Sequence, residues 1–260
     1  MNGPVLGLGD IEQDLWVLLF IMTRIGAALL AAPIFGAASI PPQIRLILTG
    51  AVAVFVMIWV PVKLPVDVFS FAALVGLVGE AVIGLALGFT LQLSFAAPII
   101  AGEQIAGGMG MAIATAIDPN TGARSGALGQ YFSIVLTLTF LAIGGHLLWL
   151  RLVIESYIAF PPGEAWIGPD RAKMIVGFAS QMFATAMAIA LPVLLVLFLV
   201  QMATGVLSRS APQLNLFALG LPAGILGGLA ALLASVPIMS EHFVSLSQVM
   251  IQQAGQVVAP

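Results

Sequence analysis

Six apolar stretches with almost no charge set the limits on what this chain can fold into. They cover residues 15–32, 44–60, 69–100, 128–150, 174–200 and 217–236. Each is close to or beyond the ~20 residues that carry a helix across a bilayer. Inside lipid the backbone finds no water to bond, so such stretches must satisfy their own N–H and C=O groups as helices. Composition closes off the soluble alternative: 61% of residues are hydrophobic and 7% charged, against about half and about a quarter in a soluble domain. The expected fold is an all-α integral membrane protein of about six hydrophobic, broken or kinked helices.

Two stretches are too long for simple crossings. The third holds about 32 residues, roughly 48 Å as one helix, against a hydrocarbon core of about 30 Å. The fifth would reach about 40 Å and contains Pro192. The basic residues set no orientation. Six crossings would put Arg45, Arg124 and Arg209 on one side and Lys63, Arg151, Arg171 and Lys173 on the other, which is no bias. Small residues are frequent, with 28 glycines, and Gly84 with Gly88 and Gly224 with Gly228 stand at the GxxxG spacing that lets helices approach closely. There is no fixed-period repeat.

The N-terminal residues carry Asp10, Glu12 and Asp14 and no base before Arg24, so no cleavable signal is expected there and the first stretch should stay as an anchor. The net charge of −3 comes without a basic patch, which excludes nucleic acid as a partner and leaves membrane lipid as the medium. With no cysteine, disulfides and thiolate chemistry are absent. No HExxH, GxSxG or phosphate-loop motif occurs, and His146 and His242 lie far apart. Neither an enzyme nor a cofactor is expected.

Intramembrane charge is more informative. Arg24 and Glu80 fall near the middles of the first and third stretches, where each costs roughly 2.5–3.5 kcal/mol on insertion scales. They form an ion or proton path, a structural pair, or two groups facing water because the helices are displaced from the membrane. The weight falls on the last two, since one pair is too short for a relay. Glu103, in "AGEQ", is expected to face a polar cavity. Prolines mark the breaks: Pro33 ends the first helix, Gly36 turns the chain, and Pro41-Pro42 restart it. "SRSAPQLNLFALGLP", residues 208–222, should play the same part further on, with Arg209, Gln213 and Asn215 free to cap carbonyls or join subunits.

One segment suits neither solvent. "GGMGMAIATAIDPNTGARSG", residues 107–126, is too polar and glycine-rich for an ordinary crossing and too apolar for a solvated loop. Irregular backbone at membrane depth is tolerated only where it is buried in protein or lines a cavity. Gly107, Gly108 and Gly110 permit positive φ and close packing. Met109, Met111, Ile113 and Ile117 offer an adaptable apolar surface, and Asp118-Pro119 turns the chain back.

Several of these features occur together in one known family. Arg24, Gly26, Pro33, Phe35-Gly36, Pro41 and Arg45 come first, then Glu80 with Gly84 and Gly88, "AGEQIAGGMGMA" and Asp118-Pro119. "FLAIGGH", Ser156, Gly205, Arg209, and "PQLNLF" (Pro212 to Phe217, with Gln213 and Asn215) followed by Gly220 and Pro222 complete the order. In that order, over almost the whole chain, the pattern resembles the FliR family of type III export-gate subunits, FliR/SctT-like.

The resemblance implies a non-enzymatic subunit of the flagellar protein export gate in the bacterial inner membrane, at the flagellar basal body. It implies a FliP-like part over 1–170 and a FliQ-like helical hairpin with a C-terminal tail over 171–260. The implied partners are FliP-like and FliQ-like subunits in a closed helical spiral, FlhA/FlhB-like export components, and exported flagellar proteins in transit. It makes 107–126 a channel plug, whose rival is a re-entrant connector without a gating role. It assigns subunit and helix contacts to Gly84, Gly88, Arg209, Pro212, Gln213, Asn215 and Phe217. Two other functions fit parts of the pattern: the homologous gate subunit of a virulence secretion system, and a small-molecule secondary transporter.

Overall fold

The computed structural model describes residues 8–59, 70–111, 126–162, 167–210 and 216–259. These form seven helices: α1 Leu8–Ala31, α2 Pro42–Trp59, α3 Phe71–Gly108, α4 Ala127–Ala142, α5 Gly145–Ala159, α6 Pro169–Ser210 and α7 Leu216–Val258. There is no strand among the described residues. Five helices are long and apolar enough to cross a membrane, or six spans if the bent pair α4–α5 counts as one. The all-α membrane fold expected from composition is what the chain adopts.

The first break falls where proline chemistry puts it. Pro33 has no N–H to continue the ladder and disfavours helical geometry at Ala32, so α1 stops at Ala31. The chain turns through Gly36, whose N–H donates to the Ala32 carbonyl at 2.7 Å. A Cβ at Gly36 would collide with the Leu30 and Ala32 carbonyls, so only glycine fits. Pro42 then opens α2, a first-turn position where its missing donor costs nothing. Arg45 fastens the corner by donating to the Phe35 and Ala37 carbonyls at 3.2 and 3.3 Å.

Three features depart from the sequence reading. The fourth stretch is two helices bent by 70°, because Gly144 takes φ +72, ending α4 while its carbonyl accepts from Leu147 and Leu148 of α5. The last stretch does not stop at residue 236. α7 carries both Pro222 and Pro237 inside it and runs 43 residues to Val258. Pro222 therefore lies within a helix, not in the connection before it. A proline removes one backbone bond without necessarily ending a long, otherwise intact ladder.

The chain forms two compact units: Met1–Leu93 with Gly144–Phe178 and Met250–Pro260, and Ser94–Ile143 with Ala179–Val249. In the first unit the core is one face of α1 (Phe20, Ile21, Ile25, Ala28), a face of α3 (Ile83, Leu87, Leu91) and Trp149, Val153 and Tyr157 of α5. The three- and four-residue spacing is that of a buried helical stripe. In the second unit Phe95 of α3 meets Phe140 of α4 edge to face, and Phe132 of α4 meets Phe243 of α7 likewise.

Candidate functional site

Within the first unit the charges of Arg24 and Glu80 meet. Arg24 and Glu80 are both fully buried. Arg24 Nε donates to Glu80 Oε2 at 2.7 Å and Nη2 to Oε1 at 3.0 Å, a two-pronged pair. Nη2 also donates to the Phe160 carbonyl at 2.7 Å and Nη1 to Ser156 Oγ at 3.1 Å. The Tyr157 ring lies under the guanidinium, 4.1 Å away, and its hydroxyl donates to the Ile21 carbonyl at 2.8 Å. A planar, five-donor guanidinium suits such a fork better than an ammonium would. The pair and its further bonds join α1, α3 and α5 at once.

Sequence reasoning found Arg24 and Glu80 because charge is costly at that depth. Tyr157 and the Phe160 carbonyl carried no such signal. Ser156 was visible only as part of the family pattern.

Gly84 and Gly88 lie where α3 crosses α1, in the same unit. A Cβ at Gly84 would run into the Arg24 carbonyl, and one at Gly88 would stand 2.5 Å from the Ala28 carbonyl and 2.6 Å from Ala31 Cβ. Their bare backbone is what brings α3 close enough for Glu80 to reach Arg24. Trp149 Nε1 also donates to the Leu87 carbonyl between them, at 3.3 Å.

The second unit holds the start and end of segment 107–126. α3 closes with a glycine cap: Gly110 takes φ +80, its N–H reaches the Gly107 carbonyl at 3.0 Å, and the Met111 N–H reaches Ala106 at 3.0 Å. That pair of bonds is the Schellman arrangement, which favours glycine at the left-handed position. Met109 is 3% exposed and sits against α7. A Cβ at Gly224 would stand 3.2 Å from the Met109 carbonyl, and one at Gly228 2.5 Å from Met109 Cγ. The Gly224/Gly228 pair thus receives Met109, its main chain at one glycine and its side chain at the other. Gln201 Nε2 donates to the Gly108 carbonyl at 2.9 Å, beside an open pocket of about 300 Å³ lined by Gly107, Gly110, Thr204, Gly205 and Gly220 among others. Met111 is partly exposed.

At the other end Glu103, exposed on α3, accepts the backbone N–H of Gly126. Its carboxylate meets the start of α4. Gly102 abuts Gly129, where an added Cβ would lie 2.6 Å from backbone atoms.

Of the remaining sequence-derived positions, Arg209 is exposed in the last turn of α6, a place where a cation suits the helix dipole. Phe217 lies in the first turn of α7. Ile113, Ile117, Asp118, Pro119, Pro212, Gln213 and Asn215 lie outside the described residues. Among the described residues no three His, Cys, Asp or Glu side chains gather as a metal site.

These features define a multi-helix membrane protein whose specialised residues pack its helices closely against one another. The chain belongs to the bacterial export proteins, family 1, whose model matches residues 15–250. It is similar to the flagellar biosynthetic protein FliR of Escherichia coli, at 32% identity over 88% of this chain and 90% of that protein. The protein of the same name from Aquifex aeolicus is 32% identical over 89% of this chain and 91% of its own length. That of Bacillus subtilis is 34% identical over 78% and 80% respectively. The resemblance read from the sequence is borne out, and the family is one of flagellar biosynthesis and export components, not enzymes.

Proposed function

We propose that this chain is a core subunit of the flagellar type III protein export gate in the bacterial inner membrane, at the basal body. With FliP-like and FliQ-like subunits it would form a closed helical channel. Its residues 1–170 would be the FliP-like part and 171–260 the FliQ-like hairpin. Exported flagellar proteins would pass through that channel, with FlhA/FlhB-like components handling delivery and energy. Segment 107–126 would be the plug that keeps it shut between substrates. The relatives' name supports the flagellar system over a virulence one.

The observation that carries the assembly is the exposed surface of α6. Apolar side chains face outward from Val176 to Leu207, including Phe183, Met187, Leu191, Leu195, Phe198, Met202 and Val206. That run is about 46 Å long. Lipid covers about 30 Å of it, and a tilt of 40° lengthens the path only to about 39 Å. The remainder needs protein over it, and the four-residue spacing from Phe183 to Leu195 presents a helix-packing face.

Co-expression of the full chain with FliP-like and FliQ-like subunits tests this. The chain should purify in a stable complex, at one copy per assembly by native mass measurement. A monodisperse monomer in the presence of both partners would overturn the proposal.

A further inference from the structure

We infer that the outward face of α5 is a contact site for a neighbouring subunit, and that Arg151 at its centre receives main-chain carbonyls at the C-terminal end of one of that subunit's helices. The inference rests on the gate-assembly reading above and names one surface through which the chain joins its partners.

The spacing of α5 gives it two faces. Trp149, Val153, Ser156 and Tyr157 are buried, and three of them are tied inward. Trp149 Nε1 donates to the Leu87 carbonyl, the Tyr157 hydroxyl donates to the Ile21 carbonyl, and Ser156 Oγ accepts from Arg24. Leu147, Arg151, Glu155 and Ile158 fall on the opposite side, within about a quarter of the helix circumference. Leu147 is 62% exposed, Ile158 77%, and the Arg151 side chain 73%.

Neither lipid nor water suits that face. α4 and α5 together are long and apolar enough to form one bent span, and a guanidinium set among hydrocarbon there is costly. In water the apolar ends of the stripe, Leu147 and Ile158, stay uncovered. A protein surface meets both needs, and an arginine ringed by apolar side chains is a common composition for an interface centre. The inward bonds also hold α5 in place beforehand, so docking orders little that is not already ordered.

The other arginines of this chain indicate the occupant. Arg24 donates to the Phe160 carbonyl just past α5, and Arg45 to the Phe35 and Ala37 carbonyls in the turn after α1. Arg171 donates to the Ala259 carbonyl just past α7, at 2.7 Å. Each meets main chain at or beyond a helix end, where the ladder leaves acceptors open and a cation suits the helix dipole. Arg151 gives its Nε to Glu155 Oε1 at 2.6 Å, and among the described residues its Nη groups meet no acceptor. Glu155 balances the charge and holds the guanidinium along the helix, leaving a neutral pair with spare donors. Carbonyls fit such a pair; a further carboxylate would be repelled by Glu155.

The test co-expresses the full chain with FliP-like and FliQ-like subunits, as parent, Arg151→Leu, Arg151→Lys, and the swap of Arg151→Glu with Glu155→Arg. Arg151→Leu should lower the fraction of chain recovered in the complex about tenfold, while the isolated chain melts as the parent does. Arg151→Lys should recover part of the loss, since an ammonium donates without the fork. The swap keeps the pair on the same face but moves the guanidinium one turn, and should assemble as poorly as Arg151→Leu. A photoreactive side chain in place of Leu147, one turn from Arg151, should cross-link in the purified complex to a partner peptide that contains a helix end. Four results would each overturn the inference: Arg151→Leu assembling like the parent, a lowered melting point of the isolated Arg151→Leu chain, recovery by the swap, or a cross-link confined to lipid, to a second copy of this chain or to the middle of a helix. A parent chain that stays monomeric overturns the gate reading as well. A parent that assembles beside an unimpaired Arg151→Leu overturns the inference alone.

Discussion

Glu80→Leu is expected to lower the stability of the folded chain by about 3–5 kcal/mol, the usual result of removing one partner from a buried pair. The loss is large because Arg24 would remain fully buried. It would keep the Phe160 carbonyl and Ser156 Oγ but have no counter-charge from Glu80. In detergent the variant should melt far below the parent and give little monodisperse protein. Glu80→Gln should fall between, since its amide oxygen still accepts one of the two bonds. The double variant Arg24→Met, Glu80→Leu should recover part of the loss, because apolar groups of similar volume can replace a buried pair at small cost. A single variant that melts like the parent would remove the pair from the account of the fold.

Gly84→Leu and Gly88→Leu should have comparable effects by a different route. Overpacking alone costs typically about 1–3 kcal/mol. Here the added carbon meets backbone: the Arg24 carbonyl at one position and the Ala28 carbonyl at the other. A helix backbone cannot turn aside as a side chain can, so α1 and α3 must separate. Separation also stretches the Arg24–Glu80 bonds, which span the same two helices. Gly177, with nothing within 4 Å of an added Cβ, is the control. Gly177→Ala should leave the isolated chain's melting point unchanged or slightly raised, since alanine favours helix. Similar losses at all three positions would mean that the crossing of α1 and α3 is not specially close.

How much of this could be read from residues depended on whether the determining physics was local. Pro33 and Pro41-Pro42 forced the α1–α2 corner because ring closure acts on the adjacent backbone. Arg24 and Glu80 stood out because their cost depends on depth alone. The bend at Gly144 stayed hidden, since a hydropathy run takes no account of one residue's φ. The length of α7 was under-read because the stretch was bounded by its apolar run, whereas the helix continues past residue 236 through Pro237 and the more polar residues after it.

The candidate site shows the same division. Gly224 and Gly228 were recognisable as a close-approach motif, yet only the fold supplies its occupant, Met109. Glu103 was read as a charge facing a polar cavity, and its contact with a main-chain N–H 23 residues on is one that no side-chain pattern reveals. Gln201, on the long α6, had no sequence signal. Its role comes from lying beside the Gly108 carbonyl at the end of α3.

The central claim is that this chain is a gate subunit whose 107–126 segment seals the channel. It is tested most directly by conductance across membranes holding the assembled complex, intact and with residues 109–117 deleted. The deletion leaves Glu80, Gly84 and Gly88 in place, so assembly should persist at the same stoichiometry. The account predicts that the intact complex is closed and the deleted one passes ions. A deleted complex that assembles in full and remains as tight as the parent would contradict it.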